Sequence, residues 1–289
     1  MAAFTTDDRV TLNYAVHDFR EPWLPRAETA VLLHHGFSKN LEFWTPFVPT
    51  VARRHMVVRF DARGCGRSSV PPPGADWSLD RLVDDVTSLL DSLQIAKVHF
   101  AGFESGGVVG LVFAAKRPDR TASLACFNTP HRSPASQSRF GGYLNAGHAS
   151  PGDAVEAMGF DKWIASLGER GILVDLKAGP AVLEWAKRQA AQTDPSVARH
   201  WLNVMWDACW EDGELSKLLG TIRAPTLLVA GAEHKNGCEP PHLDHLSRKI
   251  PNARPPVYIP NVGTSVQLLG ADACAARYLD FIGGLGAAS

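Results

Sequence analysis

The stretch Lys97–Lys116, KVHFAGFESGGVVGLVFAAK, decides the fold. Its first five residues form a short apolar run typical of a buried strand, and the residues after the glycines form a longer run with helical character. Glycines at positions 102, 106 and 107 surround Glu104 and Ser105, and glycine allows the close backbone approach that a sharp turn requires. The stretch therefore predicts a strand, a tight turn and a helix, with Glu104 or Ser105 at the turn.

Short apolar runs separated by helical patterns extend on both sides of this stretch. Strands are predicted over Val10–Val16, Ala30–Leu33, His55–Phe60, Lys97–Ala101, Thr121–Phe127, Pro225–Gly231 and about 256–260. Helices are predicted over Leu79–Leu93, from the turn to about Lys116, over about 240–249 and over about 270–282. This alternation predicts the α/β class, with a doubly wound, mostly parallel sheet covered on both faces.

Between residues 131 and 217 the strand signals stop and helical patterns dominate. Five of the eight tryptophans lie in this stretch, at positions 163, 185, 201, 206 and 210. We therefore expect a helical lid over 131–217, inserted into a core formed by residues 1–130 and 218–289. Parallel sheets bind ligands at the carboxyl ends of their strands, so the active site should lie there, under the lid.

The composition excludes several classes of protein. Hydrophobic residues make up 45% and charged residues 20%, which excludes a disordered chain. Lys and Arg number 29 against 30 Asp and Glu, so no basic excess indicates a nucleic-acid partner. No apolar run is long enough to cross a membrane. Five scattered cysteines and an N-terminus without signal-peptide character predict a cytoplasmic protein; a homodimer is left open.

Several motifs in order resemble those of the α/β-hydrolase superfamily, and within it the group around enol-lactonases and small esterases. They are His35-Gly36-Phe37 after a strand, DARGCGRS at 61–68, GFESGG at 102–107, APTLLVAG at 224–231 and PNVG at 260–263. The resemblance implies an enzyme with a nucleophile at the 102–107 turn and backbone N–H groups of Phe37 and Ser105 as oxyanion donors. It implies a small-molecule substrate, no cofactor and no metal.

The chain departs from the family at all three positions that carry the chemistry. The pattern Gly-x-nucleophile-x-Gly puts Glu104 at the nucleophile position, because the rival register at Ser105 would put Phe103 where a small residue is needed. His234 stands where the acid is expected and Thr264 where the histidine is expected. Because residues 246–289 contain no histidine, a Ser-His-Asp mechanism is excluded there.

These substitutions favour an enzyme in which Glu104 acts as general base or acid, or as carboxylate nucleophile, with His234 and Thr264 beside it. The expected substrate is small, apolar and cyclic or aromatic, such as a lactone or enol-lactone. Hydrolysis follows from the resemblance, and lyase or isomerase chemistry stays open. Two alternatives are ester or lactone hydrolysis with a histidine from elsewhere, and a non-catalytic ligand-binding protein. The residues expected to line the pocket are His35, Gly36, Asn128, His131, Trp163, Trp185, Trp206 and Trp210.

Overall fold

The computed structural model describes residues 1–25, 28–131, 145–209, 213–234 and 240–286. The strands are β1 (Ala2–Thr5), β2 (Thr11–His17), β3 (Thr29–His34), β4 (Val57–Phe60), β5 (Lys97–Phe103), β6 (Thr121–Phe127), β7 (Thr226–Gly231) and β8 (Val257–Ile259). The helices are α1 (Val48–Ala52), α2 (Leu79–Ser92), α3 (Ser105–Lys116), α4 (Pro151–Met158), α5 (Phe160–Glu169), α6 (Pro180–Ala190), α7 (Pro195–Ala208), α8 (Glu214–Leu219), α9 (Pro240–Lys249), α10 (Val266–Leu269) and α11 (Ala271–Gly286). Short 3-10 turns lie at Leu41–Trp44, Pro118–Arg120 and Leu176–Ala178.

Across the described residues the strands form one sheet in the order β1-β2-β4-β3-β5-β6-β7-β8. Strands β3 to β8 pair in parallel, whereas β1 pairs with β2 and β2 with β4 in antiparallel fashion. The predicted α/β class and mostly parallel sheet are confirmed. Strand β1 was not predicted, because it is an exposed edge strand and carries no buried apolar pattern.

Two apolar layers cover the sheet. Leu32 of β3 points into the layer formed by α2 and α3, and its neighbours Val31 and Leu33 point into the layer formed by α1 and α11. This alternation follows from the two-residue period of a strand, which sends successive side chains to opposite faces. The sheet is thus sandwiched between two helical layers. Because β3 to β8 run in parallel, their carboxyl ends meet at one edge of the sheet.

The helices α4 to α8 lie between β6 and β7 in the chain, in the region predicted to be helical. Helix α7 is attached to the turn over residues 61–68, since Trp201 Nε1 donates to the Arg63 carbonyl at 3.1 Å. The Asp194 N–H donates to the Gly64 carbonyl at 3.0 Å. The bounds of the lid at 131 and 217 stay a prediction; residues 132–144 lie outside the described residues, and α8 continues to Leu219.

None of the helices in the described ranges combines the length and apolarity that crossing a membrane requires.

The Arg63 guanidinium is fully buried in the turn that α7 covers. Its Nε and Nη2 donate to the two carboxylate oxygens of Asp85, each at 2.6 Å, and its Nη1 lies 3.0 Å from the Asp8 carboxylate. We expect Arg63→Met to lower the free energy of unfolding by about 3–5 kcal/mol, because it removes the bidentate partner of the buried Asp85 carboxylate and leaves only the longer pair with Arg81, at 3.3 Å. Urea unfolding at neutral pH measures this loss.

The matched control is Arg199→Met, which removes a guanidinium paired with Asp153 and Glu156 on the surface. We expect it to change the free energy of unfolding by less than about 1 kcal/mol. Equal effects for the two variants would contradict a structural role for the buried pair.

Candidate active site

Glu104 lies at the apex of the turn between β5 and α3. Its backbone has φ 49° and ψ −118°, a positive-φ conformation that side-chain-bearing residues rarely adopt. Glycine is required on both sides: a Cβ at Gly102 would lie 2.3 Å from the Gly106 carbonyl oxygen, and one at Gly106 would lie 2.4 Å from the His35 carbonyl oxygen. The structure thus places Glu104, and not Ser105, at the strained position.

Lys39 is the partner of Glu104, and the sequence did not predict it. Its Nζ donates to Glu104 Oε2 at 2.8 Å, and only 3% of the lysine side chain is exposed. The ammonium lies 5.4 Å from the ring centre of Phe103 and 5.7 Å from that of Phe43, within the range of a cation–π interaction. The sequence feature that could have identified Lys39 is its position two residues after Phe37, in the loop expected to face the turn.

Burial and charge act on the Glu104 carboxylate in opposite directions. Burial raises its pKa, and the charge and hydrogen bond of Lys39 lower it; burial is the larger effect, so the pKa lies above the ordinary glutamate value. Gly36 packs closely against the same group, since a Cβ there would lie 2.7 Å from Oε2. The ionised form of Glu104, whose side chain is 24% exposed, is therefore held by the Lys39 ammonium.

One of the two expected oxyanion donors is already engaged. The Phe37 N–H donates to Ser105 Oγ at 2.7 Å. Ser105 is the first residue of α3, and the first N–H groups of a helix have no acceptor within it. The Ser105 N–H is thus available for a ligand, whereas the Phe37 N–H reaches one only if this hydrogen bond breaks.

Asn128 brings His234 and Thr264 together. Its Oδ1 accepts from the Gly231 N–H at 3.2 Å, and its Nδ2 donates to the Gly263 carbonyl at 3.1 Å. The same Nδ2 lies 3.1 Å from His234 Nδ1, and Thr264 Oγ1 lies 3.4 Å from that nitrogen. An amide nitrogen only donates, so Nδ1 is an acceptor, and the neutral ring carries its proton on Nε2.

A cavity of about 120 Å³ lies at the carboxyl ends of the strands. Its polar lining includes Glu104, Lys39, Ser105, Asn128 and His234. Its apolar lining includes Phe37, Val108, Pro130, Pro151, Trp163, Leu167, Ile172, Leu173, Leu202, Met205 and Trp206. Helices α5 and α7 supply much of this apolar wall, so side chains of the predicted helical region line the cavity.

The structure places other candidate residues away from this cavity. Trp185 packs against Phe43, with ring centres 4.8 Å apart, and lines a separate groove with Leu268 and Leu269. His131 lies outside the described lining, with its Nε2 2.9 Å from Ser216 Oγ. Gly36 packs against the Glu104 side chain but is not among the residues that line the cavity. Trp210 lies outside the described residues.

His35 is a structural histidine. Its Nδ1 donates to the Gly36 carbonyl at 2.7 Å, and its Nε2 accepts from the Ala62 N–H at 2.9 Å. Burial lowers its pKa to about 4, so the ring is neutral at physiological pH. Both nitrogens are occupied, and His35 therefore cannot accept a proton from a substrate. In the ranges that the structure describes, no group of three or more His, Cys, Asp or Glu side chains could hold a metal ion.

Comparison with known proteins gives the family. A profile described as alpha/beta hydrolase fold matches residues 29–149. A protein of Pseudomonas savastanoi pv. phaseolicola, named as a carbamate hydrolase, RutD, is 31% identical over 236 residues, which cover 78% of this chain and 82% of that protein. The chain belongs to the α/β-hydrolase family. The resemblance read from the sequence motifs is thereby confirmed.

Two further similarities agree with this family. A carbamate hydrolase RutD of Caulobacter segnis, so named, is 29% identical over 190 residues, 65% of this chain and 62% of that protein. The match thus spans less than two thirds of that relative. The crystal structure of the enol-lactonase from Burkholderia xenovorans LB400 has a TM-score of 0.70 and 25% identity, and the alignment covers 97% of this chain and 99% of that one.

Removing Lys39 should make stability depend more strongly on pH through Glu104. In Lys39→Met, burial acts on the carboxyl unopposed and its pKa rises further. The folded chain then holds a proton that the unfolded chain releases, so the free energy of unfolding falls as the pH rises from the ordinary glutamate pKa through the raised one. Urea unfolding over a pH series measures the slope.

The control is Lys39→Met combined with Glu104→Gln, which has no titrating group at this position. The free energy of unfolding of the double variant should not fall over this pH range. Parallel pH profiles for the single and double variants would contradict the assignment.

Proposed function

We propose that this α/β-hydrolase-family protein hydrolyses a small, largely apolar carbonyl compound, such as a lactone or enol-lactone, with Glu104 as general base. One observation carries the proposal. The Glu104 carboxylate lies at the strained turn, partly buried and paired with Lys39, and lines an apolar cavity. Burial that raises the pKa of a carboxyl also makes its ionised form a stronger base.

The step needs no covalent intermediate. Glu104 accepts a proton from a water molecule as the water oxygen forms a bond to the carbonyl carbon. The carbon–oxygen bond of the ester or lactone then breaks, and the Glu104 carboxylic acid returns the proton to the leaving alkoxide. Atoms and charge balance, and the carboxylate is regenerated. This route avoids an ester at Glu104, whose hydrolysis would need a second base.

The cavity walls and the names of the relatives both support the substrate class. Trp163, Trp206 and Met205 form part of a wall that suits an apolar or aromatic ligand. Carbamates and enol-lactones, the compounds in the names of the relatives, share a carbonyl carbon bonded to a heteroatom. A small compound with this group is therefore the proposed substrate.

A second candidate has Glu104 as nucleophile and His234 as the base that hydrolyses the resulting ester. Among His35, His131 and His234, His234 lines the same cavity as Glu104, whereas His35 has both ring nitrogens occupied. His234 Nδ1 accepts from the Asn128 amide, so the neutral ring carries its proton on Nε2. For Nε2 to act as a base on water, the proton must first move to Nδ1 and the hydrogen bond from Asn128 must break.

Glu104→Gln tests the role of the carboxylate. With dihydrocoumarin and 4-nitrophenyl butyrate as probes, we expect kcat to fall by about 10²–10⁴, the usual contribution of a general base. The matched control is Glu214→Gln, which removes an exposed carboxylate paired with Lys116. It should leave kcat unchanged.

Unchanged turnover in Glu104→Gln would contradict the proposal. Tight probe binding by the native protein without turnover would favour the non-catalytic alternative.

Isotope labelling separates the base from the nucleophile. The native protein is incubated with substrate over several turnovers in ¹⁸O-water, and the peptide containing Glu104 is weighed by mass spectrometry. We expect the label in the carboxylic acid product alone, because a general base forms no bond to the substrate. A heavier Glu104 peptide would show a carboxylate nucleophile and support the second candidate.

A further inference from the structure

The proposed reaction moves a negative charge within the cavity. At rest the charge sits on Glu104, 2.8 Å from the Lys39 ammonium. When Glu104 takes a proton from water, the carboxyl becomes neutral and the negative charge develops on the carbonyl oxygen of the substrate. The ammonium then loses its counter-charge at the moment when an anion forms nearby.

The backbone donor implied by the family resemblance is occupied. The Phe37 N–H donates to Ser105 Oγ at 2.7 Å, and both residues line the cavity. A substrate oxygen that used this N–H would have to break that hydrogen bond. The Ser105 N–H at the start of α3 is the backbone donor left for the oxyanion.

We propose that Lys39 Nζ is the second oxyanion donor, in place of the Phe37 N–H. Lys39 thereby acts as a catalytic residue, since it touches the reacting oxygen; this inference rests on the proposed function. The hydrogen bond from Nζ to Glu104 is exchanged for one from Nζ to the substrate oxyanion. The ion pair is preserved while its negative member changes, so the net charge of the cavity stays constant.

The surroundings of Lys39 suit this role. The side chain is almost completely buried and lines the cavity, so its charge acts with little screening by water. The rings of Phe43 and Phe103 flank the ammonium at cation–π distance. A cation fixed in this way needs little rearrangement when the charge moves, which is the condition for electrostatic stabilisation of a transition state.

Binding of 4-nitrophenolate tests the anion site without requiring turnover. In Glu104→Gln the Lys39 ammonium has no carboxylate beside it, and a phenolate oxygen can take the position of the oxyanion. We expect Glu104→Gln to bind 4-nitrophenolate at least about tenfold more tightly than the native protein does, as a charge-assisted hydrogen bond would produce. Calorimetry and the absorption of the bound phenolate measure the affinity.

The double variant Glu104→Gln with Lys39→Met should lose this gain. The matched control is Glu104→Gln with Lys116→Met, which removes a lysine at the opposite end of α3, paired there with Asp80 and Glu214, and should keep the gain. Lys39→Gln replaces Lys39→Met if the latter fails to fold. Equal affinity with and without Lys39, or no phenolate binding in Glu104→Gln, would overturn the proposal.

The pH profile of turnover separates donation to the oxyanion from mere ionisation of Glu104. Lys39→Met raises the pKa of Glu104, so activity lost for that reason alone would return at high pH. We expect kcat to stay at least about tenfold below native on the high-pH plateau, because the donor itself is missing. Full recovery would overturn the proposal. Absence of hydrolysis in the native protein would contradict the proposed function but leave the phenolate result intact.

Discussion

The close packing of the turn between β5 and α3 sets the geometry of the whole site. Gly102 and Gly106 allow the backbone of this turn to lie against itself and against the loop that follows β3. The contact forces Glu104 into a positive-φ conformation, at a cost of about 1–3 kcal/mol that the surrounding sheet and helix must offset. It also brings the loop carrying Lys39 within hydrogen-bond distance of the carboxylate.

Local sequence patterns were sufficient for the fold and for the position of Glu104. The strand-turn-helix pattern and the requirement for small neighbours put Glu104, and not Ser105, at the turn, because Phe103 could not occupy a crowded position. Lys39 escaped prediction because it lies 65 residues from Glu104 and its loop has no periodic pattern. The capture of the Phe37 N–H by Ser105 Oγ depends on a side-chain rotamer, which residue type does not reveal.

For the tryptophans of the helical region and for His35, the sequence indicated the position in the fold but not the orientation of the side chain. The sequence placed candidate tryptophans in the helical region, but it does not tell which neighbour each face of a helix meets. Trp163 lines the cavity, whereas Trp185 packs on Phe43. His35 follows the strand as the resemblance implies, yet its ring turns into the backbone and bonds Ala62. Such orientations depend on tertiary contacts, which a single sequence does not contain.

The hydrogen bonds of Asn128 have a consequence for any attempt to redesign the site. The amide links the ends of two strands and accommodates an imidazole at position 234 and a small hydroxyl at position 264. A serine at position 104 alone would have no base to activate it, and a histidine at position 264 alone would meet an imidazole instead of a carboxylate. Conversion of these side chains into a serine, a carboxylate and a histidine therefore takes three substitutions, at positions 104, 234 and 264.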